Sequence, residues 1–189
     1  MSESELRKHI DGCKRGDRRS QRWVFERYYR LMFGVCLRYS GDHDRVQDMV
    51  QEGFLKVFSN IEGFTSKGSF EGWIRRIMVN TALDFLRKMK SNPVDAIEDS
   101  QLERLINEES EDTPDTDETF SVHEILKAMN ELSPAYRTVF NLYVFDNYSH
   151  QEIANELGIS VGASKSNLAK AKRNVQDILL GMKQMKVAK

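Results

Sequence analysis

The chain has only two cysteines and three prolines among its 189 residues. Cys13 and Cys36 are too few for a disulfide framework or for a structural zinc site, which needs about four ligands. His9 lies four residues before Cys13 and could share its helix face, but an ordinary surface pair is the simpler interpretation. We therefore expect neither a disulfide scaffold nor a structural metal.

Membrane and secretory segments are also lacking. No apolar run approaches the roughly 18 residues that a membrane-spanning helix needs. The N-terminal stretch MSESELRKHIDGCKRGDRRS is polar and charged, without the apolar core of a secretory signal. The expected location is therefore the cytoplasm.

The residue sets that enzymes use are missing as well. The two cysteines and the four scattered histidines give no plausible active site. No glycine-rich phosphate-binding loop is present, so we expect no ATP-driven step. An enzyme is the least favoured class of function, and we expect no catalytic residue, cofactor or small-molecule substrate.

What the chain does have is apolar content for real cores and a very uneven distribution of charge. Hydrophobic residues make up 40% of the sequence, with ten phenylalanines, which excludes global disorder. The net charge is −1, but residues 1–93 carry +6, residues 94–118 carry −10 and residues 119–189 carry +3. Eleven acidic residues, one base and a proline give the middle segment the composition of an extended linker.

The hydrophobic periodicity of both basic segments is helical, and no segment before the linker alternates as a strand would. We expect an all-α protein of two small helical bundles joined by an acidic flexible linker. The predicted bounds are 1–92 for the N-terminal domain, 93–118 for the linker and 119–189 for the C-terminal domain. In the first domain, a short helix and turn should precede helices over 20–39 and 44–58, a loop over 60–69, and a third helix capped by Ser69.

The stretch from Tyr148 to Val175 predicts a helix-turn-helix. Ser149 and Glu152 match a capping box, and Gly158 marks the end of the first helix. An inward apolar stripe in the second helix comprises Val161, Leu168, Ala171, Val175 and Ile178. Its other face is polar and basic, as in a helix that enters a DNA major groove. The alternative is an αα-hairpin whose basic face is merely solvated.

With both domains in view, the chain resembles the extracytoplasmic-function, or group IV, sigma factors of the sigma-70 family. The resemblance covers about residues 20–90 and 120–183. It rests on four blocks: DRVQDMVQEGFLKVF (44–58), the loop 60–69, SFEGWIRRIMVNTALDFLRK (69–88) and LSPAYRTVFNLYVFDNYSHQEIANELGISVGASKS (132–166). It implies a subunit that binds core RNA polymerase, recognises the −35 and −10 promoter elements and helps melt the DNA.

The resemblance implies three contact surfaces. The polymerase-binding positions are Asp48, Gln51 and Glu52. The positions at the −10 element are Phe64, Lys67, Arg76, Asn80, Asp84 and Arg87. A flipped base could lie against Phe64, Phe70 or Trp73, although Phe70 and Trp73 are more simply core residues. The positions at the −35 element are Ser164, Lys165, Ser166, Asn167, Lys170 and Arg173.

Three positions of the second helix depart from the family. The family commonly has threonine at Ala163, a β-branched apolar residue at Ser164 and arginine at Asn167. Asparagine can read adenine in the major groove, but the loss of a long cation predicts weaker phosphate or guanine contact. We expect the −35 preference, rather than the activity, to differ.

The implied partners are promoter DNA, core RNA polymerase and an anti-sigma factor that masks the DNA-binding surfaces. A stand-alone helix-turn-helix regulator, whose N-terminal domain acts as a sensor, is the alternative function. Co-purification with core polymerase would separate the two.

Overall fold

The structure is a computed structural model that describes residues 2–90 and 120–187. The regular secondary structure of these residues is helical, without a strand among them. The chain divides into two compact units, Met1–Arg104 and Leu105–Lys189. The expected fold class, two helical bundles with a helix-turn-helix in the second, is confirmed. The acidic linker predicted over 93–118 lies outside the described residues, and the domain bounds stay predictions.

Four helices build the described part of the N-terminal unit: α1 (Glu3–Lys14), α2 (Arg18–Leu37), α3 (His43–Ser59) and α4 (Phe70–Lys90). A short 3-10 turn, Ile61–Gly63, lies between α3 and α4. Ser69 caps α4 as expected, since its Oγ accepts from the Gly72 backbone N–H at 3.0 Å. The cap of α3 is Asp42 rather than Asp44, so this helix begins earlier than the sequence predicted.

Helices α2, α3 and α4 pack on one another, while α1 packs on α2. The side chains that fill this core are Val24, Met32, Val35, Val46, Met49, Val50, Ile74 and Met78, each at most 1% exposed. They recur at helical spacing along their helices, so each helix buries one face and leaves the other to charged residues.

Helix α1 approaches α2 closely at Gly12. A Cβ on Gly12 would lie 2.1 Å from Ser20 Oγ and 2.7 Å from Ser20 Cβ. The Ser20 hydroxyl donates to Asp17, which caps α2, at 2.6 Å. Glycine therefore lets α1 pack directly over the first turn of α2.

The expectation that His9 and Cys13 form an ordinary surface pair is wrong. Cys13 is 3% exposed, and burial raises the pKa of its thiol to about 11. The His9 ring stacks on Trp23 with 4.1 Å between centroids. Both residues help to hold α1 on the bundle.

The C-terminal unit contains α5 (Val122–Asn130), α6 (Pro134–Phe140), α7 (His150–Leu157) and α8 (Val161–Val187). A π-helical turn, Asn141–Phe145, continues α6. Helix α8 packs against α5, α6 and α7 and is therefore the centre of this unit. No helix in the described ranges is both long and apolar enough to cross a membrane.

Gly12→Ala should destabilise the N-terminal unit by about 1–3 kcal/mol, because the added methyl group must displace Ser20. Both tryptophans, Trp23 and Trp73, lie in this unit, so urea unfolding followed by tryptophan fluorescence monitors it selectively. Gly34→Ala is the matched control, since Gly34 is also helical but has open space around it. This control should be neutral or stabilising by up to about 1 kcal/mol. Equal unfolding midpoints for the two variants would contradict the close approach.

Candidate nucleic-acid interface

The turn between α7 and α8 is built as the sequence predicts. Ser149 and Glu152 form the capping box, with the Glu152 carboxylate accepting from the Ser149 backbone N–H at 2.9 Å. Gly158 ends α7 with φ of +66°, a left-handed conformation that glycine adopts without Cβ strain. Ser160 Oγ accepts from the Ala163 N–H at 3.0 Å at the start of α8. These caps set the register of α8, and hence which of its side chains face solvent.

One face of α8 is buried and the opposite face is polar. The buried side chains are Leu168, Ala171, Val175 and Leu179, all at most 8% exposed. Of the residues expected at the −35 element, Lys165, Ser166 and Arg173 are exposed, and Asn167 and Lys170 are half-buried. Five of the six expected residues therefore reach solvent from one helix.

Ser164, the sixth residue expected at the −35 element, does not reach solvent. Its side chain is 0% exposed, and its hydroxyl lies 2.9 Å from His150 Nδ1 on α7. It occupies the inward stripe of α8, one turn before Leu168, so its side chain cannot reach a base edge. Ser164 joins the two helices of the motif instead of touching DNA.

His150 is the partner that the sequence did not reveal. Its ring stacks on Tyr143 with 4.6 Å between centroids and holds the Ser164 hydroxyl. Burial, with the positive charges of Lys165 and Lys172 on α8, holds the pKa of His150 below its ordinary value. A neutral imidazole is therefore the favoured form in this contact.

In the N-terminal unit, four residues expected at the −10 element lie along α4. Arg76, Asn80 and Arg87 are exposed, and Asp84 is half-buried. Their spacing of three or four residues places them on one stripe of the helix. The fifth, Lys67, is exposed on the loop that precedes α4.

Phe64, the sixth residue expected at the −10 element, is buried rather than exposed on the loop. Its side chain is 7% exposed and packs edge-on against Phe70 at 5.1 Å and against Trp73 at 5.5 Å between ring centroids. Phe70 in turn packs on Tyr28 of α2 and is 3% exposed. Phe64 and Phe70 are thus core residues beneath the loop, and only Trp73 of the three is half-exposed.

The positions expected to bind polymerase lie on the outer face of α3. Asp48 and Gln51 are exposed and Glu52 is half-buried. Leu55, one turn further along, is 61% exposed. Sequence reasoning missed Leu55, although its spacing from Asp48 and Gln51 places it on the same face.

A row of alternating charges connects this face of α3 to α4. Lys56 Nζ lies 3.9 Å from Glu52 and 3.1 Å from Asp84, and Asp84 also accepts from Arg87 at 2.9 Å. All four side chains are at least a third exposed, so the pairs orient the residues more than they stabilise the fold. Lys56, which the sequence left unassigned, joins two of the three expected surfaces.

Within the described ranges, no group of three or more His, Cys, Asp or Glu side chains is placed to hold a metal ion. Cys13 and Cys36 are each buried as free thiols. The described surfaces offer cations, carboxylates, amides and hydroxyls facing solvent.

Comparison with known proteins places both units in one family. Sigma-70 region 2 matches residues 24–91, and sigma-70 region 4 matches residues 123–175. RNA polymerase sigma factor SigV of Bacillus subtilis is 32% identical over 144 residues, which covers 76% of this chain and 79% of that protein. The ECF RNA polymerase sigma-E factor of Haemophilus influenzae is 26% identical over 181 residues, covering 89% and 92%.

A solved structure shares the fold. The sigma factor RpoE of Bartonella quintana, in complex with the anti-sigma factor NepR, superposes with a TM-score of 0.52 at 21% identity. The match covers 84% of this chain and 95% of that one.

The lowered pKa of His150 predicts a pH-dependent stability for the C-terminal unit. Since the folded pKa lies below the unfolded value of about 6.5, the unfolded chain binds the proton first. Stability should therefore be complete above that unfolded value and be lost as the pH falls through the folded pKa. His150→Asn keeps an acceptor near the position of Nδ1 but cannot titrate, so it should flatten the pH dependence.

Urea unfolding, followed through the backbone amide NMR signals of residues 149–175 at about pH 7.5 and about pH 5.5, measures this effect. His123→Asn is the control, because His123 is exposed on α5 of the same unit. An unchanged pH dependence in His150→Asn, or an equal flattening in the control, would show that another group is responsible.

Proposed function

This chain belongs to the sigma-70 family, in its extracytoplasmic-function group, and from that membership we propose how its two units share the work of an RNA polymerase sigma factor. The N-terminal unit binds core polymerase and the melted −10 element, and the C-terminal unit reads the −35 element. The observation that carries this division is the exposed polar face of α8 in a capped helix-turn-helix, within a chain that also contains region 2.

At the −35 element, α8 lies in the major groove with Lys165, Ser166 and Asn167 towards the bases. Lys170 and Arg173, one and two turns later, neutralise phosphates and release counterions, which makes the affinity salt-dependent. Asn167 can pair with adenine, and each good base contact contributes about 1–3 kcal/mol of discrimination. The contact between Ser164 and His150 fixes the angle of α8 relative to α7.

At the −10 element, the cations of α4 hold the backbone of the melted strand. Arg76, Asn80 and Arg87 supply donors along one stripe, and Lys67 approaches from the loop. Asp84 acts by orienting Arg87 and Lys56, because a carboxylate facing a phosphate would be repelled. Flipping one base out of the stack costs a few kcal/mol, which binding of the strand offsets without ATP.

Core polymerase binds the outer face of α3. Asp48, Gln51 and Glu52 offer acceptors and donors, and Leu55 adds an exposed apolar side chain at their centre. Interfaces commonly combine one buried apolar contact with a polar rim. The chain acts by binding rather than by catalysis, in the cytoplasm, where polymerase and promoters meet.

We infer that an anti-sigma factor controls the chain by covering these surfaces. The support is the likeness to a sigma factor that was solved in complex with such a protein. A bound regulator and bound DNA would compete for the exposed cations of α4 and α8.

Exchange of Lys165 and Asn167 for alanine should lower −35-dependent initiation by at least about tenfold, because two base or phosphate contacts are lost. In vitro transcription with core polymerase, on promoters with and without the −35 element, measures the effect. Lys183→Ala is the control, since it removes a cation from the same helix about 27 Å away. An equal loss of core binding in the double variant would refute the assignment of α8 to DNA.

Asp48→Lys should weaken the binding of core polymerase by about tenfold, because it reverses a charge at the centre of the proposed contact. Fluorescence anisotropy of the labelled chain against core polymerase gives the affinity. Asp11→Lys makes the same charge reversal on an exposed site of α1 and should have little effect. Wild-type affinity in Asp48→Lys would remove α3 from the polymerase interface.

A further inference from the structure

We propose that Lys14, in the last turn of α1, is a positioning residue for reading the −10 element. It fixes one end of the exposed loop that precedes α4, so that the loop can select the flipped base. This inference rests on the proposed binding of the melted −10 element, and it adds that the loop carrying Lys67 selects the flipped base.

Lys14 reaches across the sequence to the loop. Its ammonium group donates to the backbone carbonyl of Phe64 at 3.2 Å, and the contact is partly buried. Helix α1 also packs on the 3-10 turn Ile61–Gly63, which leads into Phe64. A hydrogen bond from a charged donor is stronger than one between neutral groups, so this contact can hold the loop against α1.

The loop between its two ends has little else to hold it. Residues 65–69 are all exposed. Ser66 has φ of +59°, a left-handed conformation that is uncommon for residues other than glycine. Such a backbone persists only when its surroundings impose it. The ends must therefore determine where the loop lies.

Both ends are anchored, and Lys14 supplies part of the first anchor. At that end, the Phe64 ring lies against Phe70 and Trp73 while its carbonyl accepts from Lys14. At the other end, Ser69 caps α4. The aromatic rings fix the position of Phe64, and the Lys14 contact fixes the direction in which the chain leaves it.

Loss of the Lys14 contact should therefore affect selection and leave the fold intact. The ring of Phe64 stays packed, but the loop can rotate relative to Arg76 and Asn80 on α4. A displacement of about 1 Å at a reacting or reading site can cost orders of magnitude in rate. The loss should appear as weaker discrimination between bases.

A variant of Arg15 distinguishes the effect of losing a positive charge from the effect of losing the hydrogen bond to Phe64. Arg15 is the next residue and is exposed, and Lys14 is the one that donates to Phe64. Lys14→Met and Arg15→Met each remove one positive charge from the same end of α1. Only the first removes the donor to Phe64. Lys14→Arg retains a charged donor and serves as the rescue variant.

The test uses holoenzyme, assembled from core polymerase and the full chain. The probe is a fork-junction DNA whose single-stranded −10 segment is the sequence that wild-type holoenzyme selects from a random library. A second probe differs only at the base whose replacement weakens the binding of wild-type holoenzyme most. The ratio of the two affinities gives the base preference, and core binding and tryptophan-monitored unfolding are measured alongside.

Lys14→Met should lower the base preference by about tenfold, with core binding and the unfolding midpoint near wild type. Lys14→Arg and Arg15→Met should keep the wild-type preference. If Lys14→Met proves unstable, Lys14→Gln replaces it, since its shorter polar side chain falls short of the Phe64 carbonyl.

The inference is overturned if Lys14→Met keeps the full wild-type base preference. It is also overturned if Arg15→Met loses as much base preference as Lys14→Met, since the loss of a positive charge alone would then explain the effect. A wild-type holoenzyme that shows no base preference at any position of the −10 segment would instead refute the proposed function of the loop. The two failures are therefore distinguishable.

Discussion

Both units depend on one constraint: each helix must bury an apolar stripe while its opposite face carries charged and polar side chains. In α8 the stripe from Leu168 to Leu179 is buried, and Lys165 and Arg173 face solvent on the same helix. Burial of apolar area contributes about 25 cal/mol per Å², whereas an exposed ion pair contributes about 0–1 kcal/mol. The fold is therefore held by packing rather than by its surface charges.

Local signals in the sequence predicted the elements well. The capping box at Ser149 and the left-handed Gly158 each depend on residues within one turn of one another. The misplaced cap of α3 shows the limit of such signals, because Asp42 and Asp44 are both good caps.

The candidate site was harder to predict than the helices. The predictions that were wrong concern residues whose positions depend on contacts between segments distant in the sequence. Ser164 is polar, so its pattern suggested the outer face, but its buried hydroxyl pairs with His150, 14 residues earlier on another helix. The β-branched apolar residue that the family commonly has at this position was the available signal. Phe64 was misassigned for a related reason: an aromatic residue in a loop can stack on a base or support the loop from beneath, and sequence does not distinguish them.

The row of charges from Glu52 through Lys56 and Asp84 to Arg87 joins the surface proposed for core polymerase to the surface proposed for the −10 strand. In water these pairs are weak, because solvent screens them and each side chain stays mobile. A partner that covers α3 excludes water from Glu52 and Lys56, and the same charges then attract more strongly. Arg87, at the far end, is held through Asp84 on the face proposed for the −10 strand. A partner bound on the proposed α3 surface would therefore hold the side chains of Asp84 and Arg87 more firmly.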